Sequence, residues 1–148
     1  MQQQEAPQWR EVEIDFAGPT ADNPYTDVDA WVIFTHDSGR ELRRPVFWDG
    51  GTNYRVRFAS TEPDGKWRWA ISSNRPDHHF TPASGRLIAT PSGQDHPHRA
   101  LSRGLVRAHP SGRSFRYADG SPAFFVFDTA WAMPFRAEVS DVETYASD

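Results

Sequence analysis

Apolar and charged residues alternate in several short segments between residues 11 and 90. The clearest segment is Tyr54, Val56 and Phe58, which is interleaved with Arg55 and Arg57. Successive side chains of a β-strand point to opposite faces, so this alternation is typical of strands with one buried face. The same alternation predicts strands over 12–16 and 66–71, and the Gly-, Pro-, Asp- and Asn-containing turns delimit further strands over 40–48 and 86–90. The segment 28–35 is apolar on both faces, which predicts a strand that is central or covered on both sides.

The number and spacing of these segments predict an all-β fold. Short strands with regular turn signals and no helical period are typical of an antiparallel, immunoglobulin-like β-sandwich. We expect the sandwich to span residues 9–91, after a flexible leader over 1–8 and before a Pro-, His- and Gly-rich linker over 92–104. The 148 residues accommodate a sandwich of roughly 100 residues but not a whole β/α barrel of roughly 250.

The composition excludes several classes of function. The net charge is −4, and the 16 basic and 20 acidic residues are interspersed, so no nucleic-acid surface is predicted. No apolar run approaches a membrane span, and the absence of Cys excludes disulfides and thiolate metal sites. We therefore predict no cofactor, no metal and no membrane partner. Residues 1–5 lack the features of a signal peptide, which predicts a cytoplasmic protein if Met1 is native and an exported one if a signal was removed.

The pattern changes after the linker. Residues 105–108 and 114–117 flank a turn and predict a β-hairpin. The run Ala123 to Phe127 is apolar on both faces, as in a parallel strand that is buried on both sides. Ser140 and Glu143 have the spacing of a capping box, which predicts a helix from about Asp141. Residues 105–148 are thus expected to be a hairpin and the first β/α unit of a truncated TIM barrel, a (β/α)8 domain whose other strands are absent.

Several motifs together resemble a known two-part architecture. The first part is similar to the immunoglobulin-like domain of unknown function (DUF5060-like) that precedes apiosidase-like glycoside hydrolases. The second part resembles the opening of the apiosidase-like (DUF4038-like) barrel. The first resemblance rests on 23–28 (NPYTDV), 47–51 (FWDGG) and 64–69 (DGKWRW), and the second on 115–122 (FRYADGSP) and 124–131 (FFVFDTAW).

This resemblance implies a glycosidase acting on plant or microbial polysaccharide side chains, with paired carboxylates on later barrel strands. No residue here matches that pair, so no catalytic residue is predicted and the chain alone is expected to be inactive. The candidate substrate-binding residues are Asp128, which follows the apolar run, and Trp131. Barrel active sites collect at the carboxyl ends of strands, where Asp128 can accept bonds from sugar hydroxyls and Trp131 can stack on a sugar face. Alternatively, Asp128 caps a loop and Trp131 fills the top of the barrel.

Other chemistry-bearing residues have simpler structural interpretations. The acidic residues of the predicted helix start are expected to cap it rather than to catalyse. Loop histidines without a partner cluster are expected to be solvated rather than to bind metal. Trp67 and Trp69 are expected in the core, whereas Trp48 is the better surface candidate, and the outward arginines are expected to form a solvated face. The acidic residues in question are Glu138, Asp141 and Glu143, the histidines are His78, His79, His96 and His98, and the outward arginines are Arg55, Arg57 and Arg68.

Two functions are open at this point. In the first, the sandwich is a non-catalytic accessory domain of a glycoside hydrolase, and its partners are the missing barrel domain and, through the whole enzyme, a poly- or oligosaccharide. In the second, it is a stand-alone carbohydrate- or protein-binding module. In either case the apolar run 123–127 has free edges, which predicts that it pairs with the sandwich, self-associates or is disordered.

Overall fold

Two β-sheets make up most of the structure. The computed structural model describes residues 2–92, 102–126 and 129–147. Residues 2–92, the two-sheet unit, contain β1 (Gln2–Pro7), β2 (Glu11–Ala17), α1 (Pro24–Asp27), β3 (Ala30–His36), β4 (Glu41–Pro45), β5 (Phe47–Trp48), β6 (Asn53–Ala59), β7 (Lys66–Ser73) and β8 (Ser84–Thr90). The later described residues, the second unit, contain β9 (Arg107–Ala108), β10 (Phe115–Arg116), β11 (Pro122–Ala123), α2 (Met133–Arg136) and α3 (Val139–Ser147).

The core of the two-sheet unit lies between a five-stranded sheet, in the order β1-β8-β7-β3-β4, and a three-stranded sheet, in the order β2-β6-β5. Aromatic rings of the two sheets meet across it. Phe34 stacks on Phe58 with ring centroids 3.9 Å apart, and Phe16 meets Trp69 edge to face at 5.7 Å. Each such side chain contributes about 1.5–3 kcal/mol when it is fully buried. The predicted mostly-β architecture and the core positions of Trp67 and Trp69 are confirmed.

The predicted strand over 40–48 is two strands in different sheets. β4 pairs with β3, whereas β5 pairs with β6. The chain crosses between the sheets at Val46, whose amide donates to Ala30 O at 2.9 Å. Pro45 immediately before it has no amide hydrogen to continue a ladder. The residue pattern contains no information about which strands pair, and therefore the sequence did not reveal the crossing.

The prediction of a flexible leader over 1–8 is wrong, because residues 2–7 form β1. This strand pairs in parallel with β8, from Gln2 opposite Gly85 to Pro7 opposite Thr90. Ala6 lies in the core beside Ala89. The strand is held by backbone hydrogen bonds, which a Gln-rich sequence makes as well as an apolar one. The five-stranded sheet is consequently mixed rather than purely antiparallel.

The outward arginines of β6 form ion pairs with the acidic residues of β2. Arg55 contacts Glu13 at 2.9 Å and Asp15 at 2.8 Å, and Arg57 contacts Glu13 at 2.9 Å. The hydrogen bond to Glu13 raises the pKa of Arg57 above its usual value. Such exposed pairs stabilise by at most about 1 kcal/mol each. Both arginines are thus paired with carboxylates of the same sheet.

The hairpin predicted around 109–112 is present in the second unit. β9 and β10 pair antiparallel, and β11 pairs with β10 on its other side. The amide of His109 donates to Ser114 O at 2.8 Å and closes the first turn. In the second turn Asp119 Oδ1 accepts from both the hydroxyl and the amide of Ser121, at 2.6 and 2.8 Å.

The apolar run 123–127 is not the buried strand that was predicted. Ala123 is buried in β11, but Phe124 and Val126 are each 86% exposed. Phe127 lies outside the described residues. A strand buried on both faces needs sheet neighbours and covering elements. Among the described residues, β11 has only β10 beside it.

The predicted helix near the C-terminus is present but begins two residues earlier. α3 starts at Val139, and the amide of Glu138 donates to Asp141 Oδ2 at 3.0 Å. The capping pair is therefore Glu138 and Asp141 instead of the predicted Ser140 and Glu143. Ser140 lies inside the first turn, where its carbonyl accepts from the Thr144 hydroxyl at 2.9 Å. Within the described residues, no helix has the length and apolar character needed to cross a bilayer.

Candidate functional site

Trp131 is the only one of the two predicted substrate-binding residues that the structure describes. It lies in the loop between β11 and α2 and is 81% exposed. Its amide donates to Thr129 O at 2.8 Å, which holds the loop in a tight turn. Asp128 lies outside the described residues. The ring of Trp131 is thus open to solvent in this chain and does not fill a core.

A shallow depression adjoins the Trp131 ring. It has a volume of about 420 Å³ and is lined by Ala130, Trp131, Ala132, Met133, Arg136 and Ala137. An indole face can pack against the C–H face of a sugar, and a guanidinium can donate to its hydroxyls. None of these lining residues is acidic. The depression can therefore contribute to binding but carries no acid or base for hydrolysis.

The acidic residues Glu138, Asp141 and Glu143 lie at the start of α3 and on its surface. Asp141 caps the amide of Glu138, as described above. Glu138 and Glu143 are exposed at the start and on the surface of α3. Acidic side chains in a first helical turn stabilise the helix through its free amides and its dipole.

A second, largely apolar cavity lies beside the exposed run. It has a volume of about 530 Å³ and is lined by Ala108, Gly112, Arg113, Ser114, Phe115, Ala123, Phe124 and Phe125. Phe115 is itself exposed on β10. An apolar lining of this kind favours contact with another apolar element over binding of a polar ligand. Sequence reasoning placed Phe124 and Phe125 in a core and so missed this surface.

Trp48 meets an exposed aromatic residue that the sequence analysis did not single out. Tyr25 is 77% exposed, and its ring meets Trp48 edge to face with centroids 5.3 Å apart. Trp48 is half-buried, and its indole N–H donates to Gly51 O at 2.9 Å. Tyr25 lies on α1, where Asn23 Oδ1 accepts from its amide at 3.2 Å. The signal was Asn followed by Pro, which is typical of a helix start, although this stretch was interpreted as loop.

A polar cavity of about 450 Å³ lies on the other side of α1. It is lined by Pro19, Thr20, Ala21, Asp22, Asp27, Arg75, Asp77 and His78. Arg75 makes two bonds to Asp77, at 2.6 and 3.0 Å, and these lower the pKa of the Asp77 carboxyl. Bonds from the Asn23 amide and the Thr26 hydroxyl likewise lower the pKa of Asp27. Asp77 is thus paired with Arg75, whereas Asp27 is held by neutral donors at the start of α1.

The histidines do not form a metal centre where the structure describes them. No group of three His, Asp or Glu side chains in the described ranges is placed to hold a metal ion. His96 and His98 lie outside those ranges.

The comparisons with known proteins connect both parts of the chain to a larger protein. The sequence model of a family described as Domain of unknown function (DUF5060) matches residues 5–74. A crystal structure from Bacteroides vulgatus ATCC 8482, described as a putative glycoside hydrolase, matches over 97% of this chain, with 26% sequence identity and a TM-score of 0.77. The chain spans 26% of the length of that protein. No curated protein matches the chain.

Proposed function

We propose that this chain is the non-catalytic front part of a glycoside hydrolase. In this proposal residues 9–91 form an immunoglobulin-like accessory sandwich, with β1 as an added edge strand, and residues 92–104 form the linker. Residues 105–148 open an apiosidase-like, DUF4038-like (β/α)8 barrel that acts on polysaccharide side chains. The observation that carries the proposal is the exposed apolar surface that begins at Phe124.

From Phe124 onward, more large apolar side chains are exposed than is usual for a self-contained soluble domain. Phe124, Val126, Trp131 and Phe135 are each more than four-fifths exposed. Soluble domains rarely expose several large apolar side chains within a dozen residues, so we expect a covering element. In the proposed enzyme, neighbouring barrel strands pair with the edges of the run 123–127, and the rest of the barrel covers the face that carries Phe124 and Val126. The similarity of 97% of the chain to one quarter of a larger Bacteroides protein supports the same arrangement.

The catalytic groups are proposed to lie elsewhere in the enzyme. Glycoside hydrolysis uses two carboxyl groups, roughly 5–9.5 Å apart, on either side of the scissile bond. The described acidic residues around Trp131 cap α3 or lie exposed on it. We assign Asp128 and Trp131 to substrate binding: the carboxylate accepts bonds from sugar hydroxyls, and the indole stacks on the sugar ring.

The proposal is tested by comparing this chain with the longer protein that its reading frame encodes. Each is incubated with plant and microbial polysaccharides, and released sugar is measured. Sugar release by the longer protein and none by the 148-residue chain is the expected result. Hydrolysis by this chain alone, or a downstream frame that encodes no further β/α units, would show that the proposal is wrong.

The role of Trp131 has its own test in the active longer protein. Replacing the ring in Trp131→Ala should lower kcat/KM by about tenfold or more, equivalent to about 1.4 kcal/mol of binding, mostly through KM. Trp131→Phe keeps a stacking face and should lose less. Trp31→Ala, at a half-buried position of β3 that belongs to neither candidate sugar-binding surface, is the matched control. Equal losses in Trp131→Ala and Trp31→Ala would contradict the substrate-binding assignment.

The exposed ring of Tyr25 favours a second candidate, a carbohydrate-binding module. Tyr25 and Trp48 present aromatic surface, and an aromatic face is what a sugar ring packs against. The full chain is titrated with oligosaccharides while tryptophan fluorescence is followed. Saturable binding that Tyr25→Ala abolishes would support this candidate, and no binding at millimolar ligand would count against it.

A further inference from the structure

Trp9 has a backbone conformation that a tryptophan rarely adopts. Its φ is +67°, in the left-handed region, and it is the only non-glycine residue with positive φ among those described. It is the third residue of the turn Pro7–Arg10, in which the amide of Arg10 donates to Pro7 O at 3.1 Å. Its own amide donates to Ser60 O at 3.0 Å, which fixes the turn against β6. Gly or Asn normally occupies such a position, because a larger residue costs about 1–3 kcal/mol there.

The indole of Trp9 packs against Gly104 of the second unit. Gly104 is buried, and a Cβ at that position would lie 2.6 Å from Trp9 Cε2 and 2.8 Å from Trp9 Cζ2. The same Cβ would lie 2.8 Å from Ala118 Cβ. The indole, the glycine backbone and Ala118 therefore form one close-packed layer that admits no larger residue at position 104.

Gly104 is connected to the small sheet β9–β11. The carbonyl of the preceding residue, Arg103, accepts from the amide of Asp119 at 3.2 Å, and the Arg103 guanidinium lies 5.7 Å from the centroid of the Tyr117 ring. Tyr117 is buried, and its amide donates to Ser121 O at 2.9 Å in the turn between β10 and β11. Arg103 and Tyr117 thus connect the Trp9–Gly104 contact to the sheet β9–β11.

We infer that Trp9 is the positioning residue that docks the second unit on the two-sheet unit. Trp9 is only half-buried and is absent from the core cluster between the two sheets. Core packing therefore does not explain a tryptophan at a strained position, whereas the contact with Gly104 and Ala118 does. The consequence is that the two-sheet unit and the sheet β9–β11 move as one rigid body. This goes beyond the proposed function and holds whether or not the longer protein is a hydrolase.

Two substitutions of Trp9 separate docking from folding. Trp9→Ala removes the indole and keeps an unfavourable residue at φ +67°, whereas Trp9→Gly removes the indole and relieves the backbone. Gly104→Ala leaves Trp9 intact and displaces its partner, although it also adds backbone strain because φ at Gly104 is +81°. Trp48→Ala, at another position of the two-sheet unit, is the control. Rotational correlation times from ¹⁵N relaxation are measured for the amides of β3 and β7 and for those of β9 to β11, together with amide exchange and Tm.

One correlation time for both units is expected in the unaltered chain and in Trp48→Ala. In all three docking variants, β9–β11 should acquire a shorter correlation time, and the exchange of the Tyr117 amide should rise by about tenfold or more. Trp9→Gly should melt at a higher temperature than Trp9→Ala. Separate correlation times in the unaltered chain, or an unchanged correlation time in Trp9→Gly, would overturn the inference. If Trp9→Ala does not fold, Trp9→Gly and Gly104→Ala still decide it.

Discussion

The most informative single substitution in the core is Ser60→Ala. Ser60 follows β6 and is 1% exposed. Its Oγ accepts from the indole N–H of the fully buried Trp67 at 2.9 Å and donates to Glu62 O at 2.8 Å. Alanine fits the space but provides no acceptor. The substitution therefore leaves a buried indole N–H without a partner.

The expected cost follows from these bonds. An unsatisfied buried donor costs about 1–3 kcal/mol, and the lost bond to Glu62 O adds about 0.5–1 kcal/mol because that carbonyl is nearer to water. Ser60→Ala should thus lower the free energy of unfolding by about 1.5–4 kcal/mol. For a chain of this size the corresponding fall in Tm is roughly 5–13 °C. Urea denaturation followed by tryptophan fluorescence measures the free energy, and circular dichroism measures Tm.

A double-mutant cycle with Trp67→Phe shows whether the indole bond is the cause. The phenyl ring introduced by Trp67→Phe has no N–H, so Ser60→Ala should cost less than about 1 kcal/mol in that background. Trp67→Phe alone is expected to cost about 1–3 kcal/mol, because the smaller ring leaves a void in the core. Equal costs of Ser60→Ala in both backgrounds would refute the reasoning, as would a cost below about 0.5 kcal/mol in the unaltered chain.

Two further predictions concern turns. Gly65→Ala should cost about 3 kcal/mol or more in urea denaturation, since φ there is +87° and the new methyl group would meet the His36 ring. Gly51→Ala, with φ +56° and open space around it, should cost only about 1 kcal/mol, and equal costs would contradict the role of His36. The bonds from Ser121 lower the pKa of Asp119 below 3.8, so they stabilise the turn above that pH and are lost as the pH falls through the lower folded value. Exchange of the Ser121 amide in acid measures this, and Asp119→Ala should abolish the pH dependence.

Alternation predicted the strands of the two-sheet unit because each has one buried face. Trp67 and Trp69 could be placed in the core because they share that face with Ile71 on one strand. The pattern has no information about strand pairing, so the crossing at Val46 was not predicted. β1 was missed for the same physical reason: its pairing with β8 uses backbone groups, whereas prediction relies on side chains.

Prediction of the candidate site had a different limit. The run 123–127 has the composition of a buried strand, but burial depends on neighbours, and the described residues provide one neighbouring strand on one side. The pattern therefore describes the environment that these residues favour, which differs from the one they have in this chain. Trp131 was located from the same local pattern, and its exposure follows from the same absence of covering elements among the described residues. Tyr25 was missed because its significance depends on contact with Trp48, which is distant in sequence.

The docking contact at Trp9 and the candidate glycan surface at Tyr25 lie at opposite ends of β2. Trp9 lies just before the strand, where the second unit docks, whereas Pro19, just beyond the other end, accepts from the Tyr54 hydroxyl at 2.9 Å, and Tyr54 pairs with Trp48. Seven residues at about 3.3 Å each place these ends roughly 20 Å apart. A glycan bound at Tyr25 would therefore lie far from the docking contact, so binding there should be unchanged by Trp9→Gly. A loss of such binding in Trp9→Gly would mean that the two ends are coupled through the sheet, which rigid docking at Trp9 alone does not explain.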